Sequence, residues 1–205
     1  MDLARQALEL ASDPLLSALG TAVLGLGLRE CGDHEAAITA LDGAISDMDR
    51  FGYRRLVCWY TAWRGEARLG AGDLEGAAGD ARTALAASLA FDTPWGAAIC
   101  QRTLGRVAIS SGRGPAGEEH LQRALASFES IGARVDAALT HADLVEHALA
   151  TDGQGALEGL GDARALLVGV DAPAHAERLD RLAARAAAIA ASEVEPPSGS
   201  TSDFG

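Results

Sequence analysis

A glycine comb with a forty-residue period is the feature that most narrows what this chain can fold into. Gly32-Asp33, Gly72-Asp73, Gly112-Arg113 and Asp152-Gly153 stand at corresponding points of successive segments, 40, 40 and 41 residues apart. Seven residues before each of the first three lies another glycine: Gly25, Gly65 and Gly105. Twelve residues after each turn lies an alanine, at Ala44, Ala84, Ala124 and Ala165, and a large apolar residue closes each segment at Phe51, Phe91, Ile131 and Val170. A unit copied at a fixed period of this length cannot bury its apolar face alone and must stack on its neighbours. Such a chain works by presenting a surface rather than by enclosing a reaction centre.

The unit reads as a pair of helices. Hydrophobic residues make up 48% of the 205 and aromatic ones only 4%, so alanine and leucine supply the apolar surface, as in thin, closely packed helices. Alternating β-branched or aromatic runs are missing, which argues against strands. Proline is tolerated at a first helical position and costly inside a helix. Pro14, Pro94, Pro115 and Pro173 all precede apolar periodic runs. First helices are predicted near 15–31, 54–71, 94–111 and 134–151, and second helices near 34–51, 74–91, 115–131 and 155–169. Asp33 and Asp73 stand where an N-cap carboxylate would accept bonds from the second helix's free amides. A glycine inside a helix costs roughly 1 kcal/mol against alanine. Gly25, Gly65 and Gly105 are therefore expected where a neighbouring helix comes close, with Ala44, Ala84 and Ala124 opposite.

The expected organisation is a leading half-repeat helix over 1–13, four repeats over 14–171 (about 14–53, 54–93, 94–133 and 134–171), a capping helix over 172–191 and a disordered tail over 192–205. Arg178, Arg181 and Arg185 mark a polar side of that capping helix.

Charge and cysteine usage exclude several functions. The net charge of −12 opposes direct binding to nucleic acid or an anionic membrane, since phosphate neutralisation needs a basic stripe. All 17 basic residues are arginine, a coding bias that points to a GC-rich bacterial source. Cys31, Cys58 and Cys100 are odd in number and far apart, which fits free buried thiols in a reducing cytosol, with Cys31 packed at its turn. The longest uncharged stretch, Pro14 to Leu28, spans only about 22 Å as a helix and falls short of a bilayer. Asp2, Glu9 and Asp13 make the preceding segment acidic, unlike a signal peptide. The expected location is cytoplasmic.

Gly65, Gly72-Asp73, Ala77 and Ala84, with Gly25, Gly32-Asp33, Ala37 and Ala44 before them and Gly105, Gly112, Gly117 and Ala124 after, resemble the tetratricopeptide repeat (TPR) family. That family has a small residue in the first helix, Gly-Asp near the turn and alanine in the second helix. The forty-residue length resembles the C-terminal repeat region of maltose-activator-type bacterial transcriptional regulators and of ATPase-coupled nucleotide cyclases. The resemblance implies an all-α fold, a right-handed α-solenoid of about four TPR-like helix pairs with a leading half-repeat and a C-terminal capping helix. Two departures stand out. Arg64 and Arg68 occupy positions that are usually apolar, and Glu146 takes the small residue's place in the fourth repeat, implying looser packing there.

The resemblance also implies that first helices line a concave groove, met by a bound segment three residues before and one after the small residue. Those positions give Glu66, Arg102, Arg106, Asp143 and His147, with Trp59 nearby. Arg102 and Arg106 can hold carboxylates bidentately, so the expected partner is a protein or peptide, acidic where it meets them. Catalytic readings are weaker. Gly112 to Gly117 matches G-x-G-x-x-G, but a dinucleotide site requires a preceding strand and a helix stands there instead. Cys31 and His34 lack two further metal ligands at suitable spacing. Asp143 and His147 share a helical face, yet no nucleophile or oxyanion donor accompanies them or His141. The expected function is thus a non-catalytic scaffold without cofactor or metal. A regulatory, effector-binding module is the alternative and an enzyme a distant third.

Overall fold

A computed structural model describes residues 13–194 apart from 152 and 154. The leading helix expected over 1–13, save Asp13, and most of the tail lie outside the described residues. Within them are nine helices and no strand. They are α1 (Pro14–Glu30), α2 (His34–Arg50), α3 (Arg54–Gly70), α4 (Leu74–Ala90), α5 (Pro94–Ser110), α6 (Gly114–Ser130), α7 (Arg134–Ala148), α8 (Ala156–Leu167) and α9 (Pro173–Val194). The chain divides into two compact units between Ala133 and Arg134.

In the first unit, six helices of 17 residues each form three hairpins, α1/α2, α3/α4 and α5/α6. The starts follow from local chemistry. Asp13 accepts from the Leu15 and Leu16 amides, Asp33 from Ala36 and Asp73 from Gly76, which satisfies amides that have no partner within the helix. Arg113 gives α6 no such cap, and Pro115 at the helix start needs none. The turns within hairpins need a left-handed residue, supplied for example by Gly72 at φ 84°. The turns between repeats carry a second comb at the same period: Gly52, Asp92 and Gly132, all with positive φ.

The close approach is real, but its partner is not the predicted one. A Cβ at Gly25 would stand 2.8 Å from Leu41 Cγ, one at Gly65 would stand 3.3 Å from the Ala77 carbonyl oxygen, and one at Gly105 would stand 2.9 Å from that of Gly117. In an antiparallel hairpin, a residue seven before the turn meets residues five to nine after it. Ala44, Ala84 and Ala124, twelve after, lie roughly 7 Å farther along the axis. They are buried elsewhere, Ala44 with Ala18, Ala22 and Met48.

Hairpins stack through their first helices, α1 on α3 and α3 on α5, while α2 packs on α3 and α4 on α5. The second helices α2 and α4 make no packing contact with each other, leaving a gap floored by α3.

The second unit packs Val145 of α7, Leu149 just past its end, and Leu160 and Ala163 of α8 against Leu179, Leu182 and Ala186 of α9. Here α7 ends at Ala148, α8 starts at Ala156, and α9 runs to Val194, three residues beyond the predicted end. The glycine has changed sides. Val145 is buried on α7 and faces Gly159 of α8, where a Cβ would stand 2.8 Å from Val145 Cγ2. Glu146 does not occupy the close-approach position and is exposed.

Candidate binding surface on the first helices

All three tryptophans gather on the first-helix face of the first unit. Trp59 and Trp63 lie one turn apart on α3, and Trp95 opens α5. The Trp95 ring centroid stands 6.1 Å from Trp59, edge-on, and 5.6 Å from Trp63, in the range of favourable aromatic pairs. Arg29, at the end of α1, lays its guanidinium 4.4 Å over the Trp63 ring, a cation–π contact between adjacent repeats. The rings remain half-buried.

Beside them lies Glu66, whose side chain is 2% exposed. Arg106 Nη1 donates to its Oε2 at 2.8 Å and Thr103 Oγ1 to its Oε1 at 2.6 Å, while Arg29 Nη1 stands 3.7 Å away. Burial alone would raise this carboxyl. Arg106, Arg102, Thr103 and Arg29 together hold it below the ordinary carboxylate range. Glu66 and Arg106 occupy equivalent places in adjacent repeats, 40 residues apart, so the pair is a rung between stacked first helices. Arg102, predicted as an open carboxylate holder, is buried, whereas the Arg106 side chain keeps 33% of its exposure. Arg106, Trp59, Trp63 and Trp95 therefore form the accessible part of this surface, with Glu66 and Arg102 beneath.

Arg64 and Arg68 are accommodated by charge. Arg64 grips Asp80 of α4 with two bonds, 2.8 Å from Nε and 2.6 Å from Nη2, and reaches Asp42 of α2 with Nη1. Arg68 Nη1 lies 3.2 Å from Asp80. Asp80 is buried, and Arg64 thus spans the gap between the two second helices. Sequence reasoning missed this staple. Its signal was Asp80, where the first repeat has Ala40.

In the second unit Asp143 is buried and accepts from Arg178 Nη2 at 2.7 Å, while Glu146 accepts from the same nitrogen at 2.8 Å. Arg178 therefore faces inward from α9. Arg185 reaches the Leu149 carbonyl at 3.5 Å, and Arg181 stays exposed. His147 is half-buried on α7.

Cys58 and Cys100 are buried free thiols, but Cys31 is exposed, beyond the end of α1. Burial pushes the Cys100 thiol up to about 12, so it stays protonated and unreactive. Gly112 caps the end of a helix, and Pro115 starts the next. No helix among the described residues is long and apolar enough to cross a membrane.

Comparison with solved structures finds the same helical-repeat fold. BtubC (BKLC) from P. vanneervenii superposes with a TM-score of 0.58 at 16% identity, over 99% of this chain and 94% of that one. A protein assigned as a kinesin light chain from Podosopora anserina, with nearly identical TPR-like repeats, gives 0.58 at 13% identity, over 91% and 100%. The fold is all-α and TPR-like. No family model matches the sequence, and no curated protein matches it.

Proposed function

We propose that this chain is a non-catalytic scaffold that binds a protein or peptide segment along its first helices, in the surface formed by Arg106, Trp59, Trp63 and Trp95. The observation that carries this reading is the convergence of every tryptophan in the chain on one half-exposed patch beside a buried, hydrogen-bonded Glu66. Aromatic and arginine side chains in fixed positions are what partner surfaces use as anchors. Glu66 holds the Arg106 head in place, which lowers the entropy that binding would cost.

The test is affinity capture from a bacterial lysate with wild type, Arg106→Gln and Trp63→Ala, each checked by thermal melting. A protein held by wild type and lost from both folded variants supports the reading. Equal capture by all three overturns it.

A second reading is the effector-binding repeat region of a bacterial regulator of the maltose-activator type. It is favoured by an open groove of about 370 Å³ on the opposite side of α3, within the size range of small-molecule sites.

A further inference from the structure

The gap between α2 and α4 is floored by Arg54, Val57, Cys58 and Thr61, which share one face of α3. Trp59, Trp63 and Glu66 project from the other face. Ala84, Ala87, Ala90 and Phe91 of α4 form an apolar wall. The small side chains of Ala84, Ala87 and Ala90 leave this wall shallow. One turn beyond Thr61, the Arg64 staple crosses the gap.

Two polar features of this groove are unmatched within the protein. Thr61 is 6% exposed, yet its hydroxyl has no partner among the described residues. Thr21, Thr39, Thr83, Thr93, Thr103, Thr140 and Thr151 all donate to a carbonyl or carboxylate. That hydroxyl is not sealed from water and opens onto the groove. At the equivalent place in the third repeat, Gln101 Oε1 lies 2.6 Å from His120 Nδ1 and is satisfied internally. The second feature is Arg54, exposed at the groove's other end and in no ion pair among the described residues. It opens a helix whose N-cap, Tyr53, makes no side-chain bond, so the positive end of the α3 dipole adds to its charge. The equivalent residues in the flanking repeats are Pro14 and Pro94. Asp49 rims the same opening, and its charge disfavours a multiply charged anion there.

We propose that this groove binds a small amphipathic monocarboxylate, its carboxylate at Arg54, its apolar body along Val57, Ala87 and Phe91, and a hydrogen-bonding oxygen at Thr61. Seven helical residues separate Arg54 from Thr61, so the molecule spans about 10 Å. The Arg64 charge is already taken up by Asp80 and Asp42 and does not call for a second anion. The inference rests on the second reading above and is independent of the first, because the two surfaces lie on opposite sides of α3.

Calorimetric titration of the full chain with ω-hydroxyoctanoate and with octanoate tests it. Saturable one-site binding of the hydroxy acid, with a Kd below about 1 mM, is expected. Arg54→Gln, which changes only an exposed side chain, should weaken both acids about tenfold. Thr61→Val should weaken the hydroxy acid about tenfold and leave octanoate unchanged. Ala87→Leu should abolish binding by filling the groove, and Ala90→Leu does the same if the first variant melts early. Failure to saturate, an unchanged Kd in Arg54→Gln, equal losses for both acids in Thr61→Val, or binding that survives a filled groove overturns the proposal. Capture of a protein partner should be the same in Arg54→Gln as in wild type, so the two readings can fail separately.

Discussion

Glu66 and Asp143 are both acids buried on a first helix, and they are held by different means. Glu66, in the first unit, is bound by residues of the neighbouring first helices, Arg106, Thr103 and Arg29. Asp143, in the second unit, is bound by Arg178 of α9, which no repeat period positions. Where a stack continues, equivalent places in adjacent repeats can carry opposite charges and pair. Where α9 follows instead, that helix brings its own arginine. The close approach differs in the same way: the first helix supplies Gly25, Gly65 and Gly105 in the first unit, while the second helix supplies Gly159 in the second. The requirement is a thin contact, and either helix can meet it.

Five substitutions would break or sharpen this contrast. Arg178→Met is expected to be the most damaging, at about 3 kcal/mol, because it takes an ionic partner from a buried carboxylate; chemical denaturation would show it as early loss of the second unit. Glu66→Gln strands arginines that are partly in water and should cost less, about 2 kcal/mol. Its acid response carries a sign. The Glu66 carboxyl is held below its ordinary value, so its contribution is complete above the ordinary range near about pH 4 and fades as pH falls through the folded value. The Glu66→Gln variant should therefore show a flatter stability profile in acid, and parallel profiles would refute that account. Gly105→Ala pushes a methyl against the Gly117 carbonyl and Leu121 and should cost about 2 kcal/mol, whereas Gly159→Ala meets only a valine methyl, gains helix propensity, and should stay within about 1 kcal/mol of wild type. Equal thermal shifts for these two would end the distinction between hairpins. The smallest effect is a gain: Asp92 holds φ 51° between Gly52 and Gly132 in the inter-repeat comb, and Asp92→Gly should raise stability by less than about 1 kcal/mol.

The architecture was legible because stacking is periodic. Gly72-Asp73 marks a turn and a cap by local chemistry alone, and repetition at Gly32-Asp33 identifies the hairpin. The polar interior was not legible from residues taken singly. Arg64 looked out of place because its partners, Asp80 and Asp42, belong to other helices, and Arg102 looked available because its position gave no hint of its burial. Glu66 and Arg106 could have been paired in advance by reading down the forty-residue column rather than along the helix. Thr61 had no signal at all, since a threonine one turn after Val57 ordinarily bonds the carbonyl behind it.

The rung between Glu66 and Arg106 also bears on how the chain reaches its structure. Its ends are 40 residues apart, and the Arg64 staple joins Asp80 only 16 residues away. Ordering can therefore spread from one hairpin to the next without closing long loops, and topologies of that kind fold fast. During synthesis, once the first stacked hairpins have cleared the ribosome, each following repeat can dock against a surface already in place.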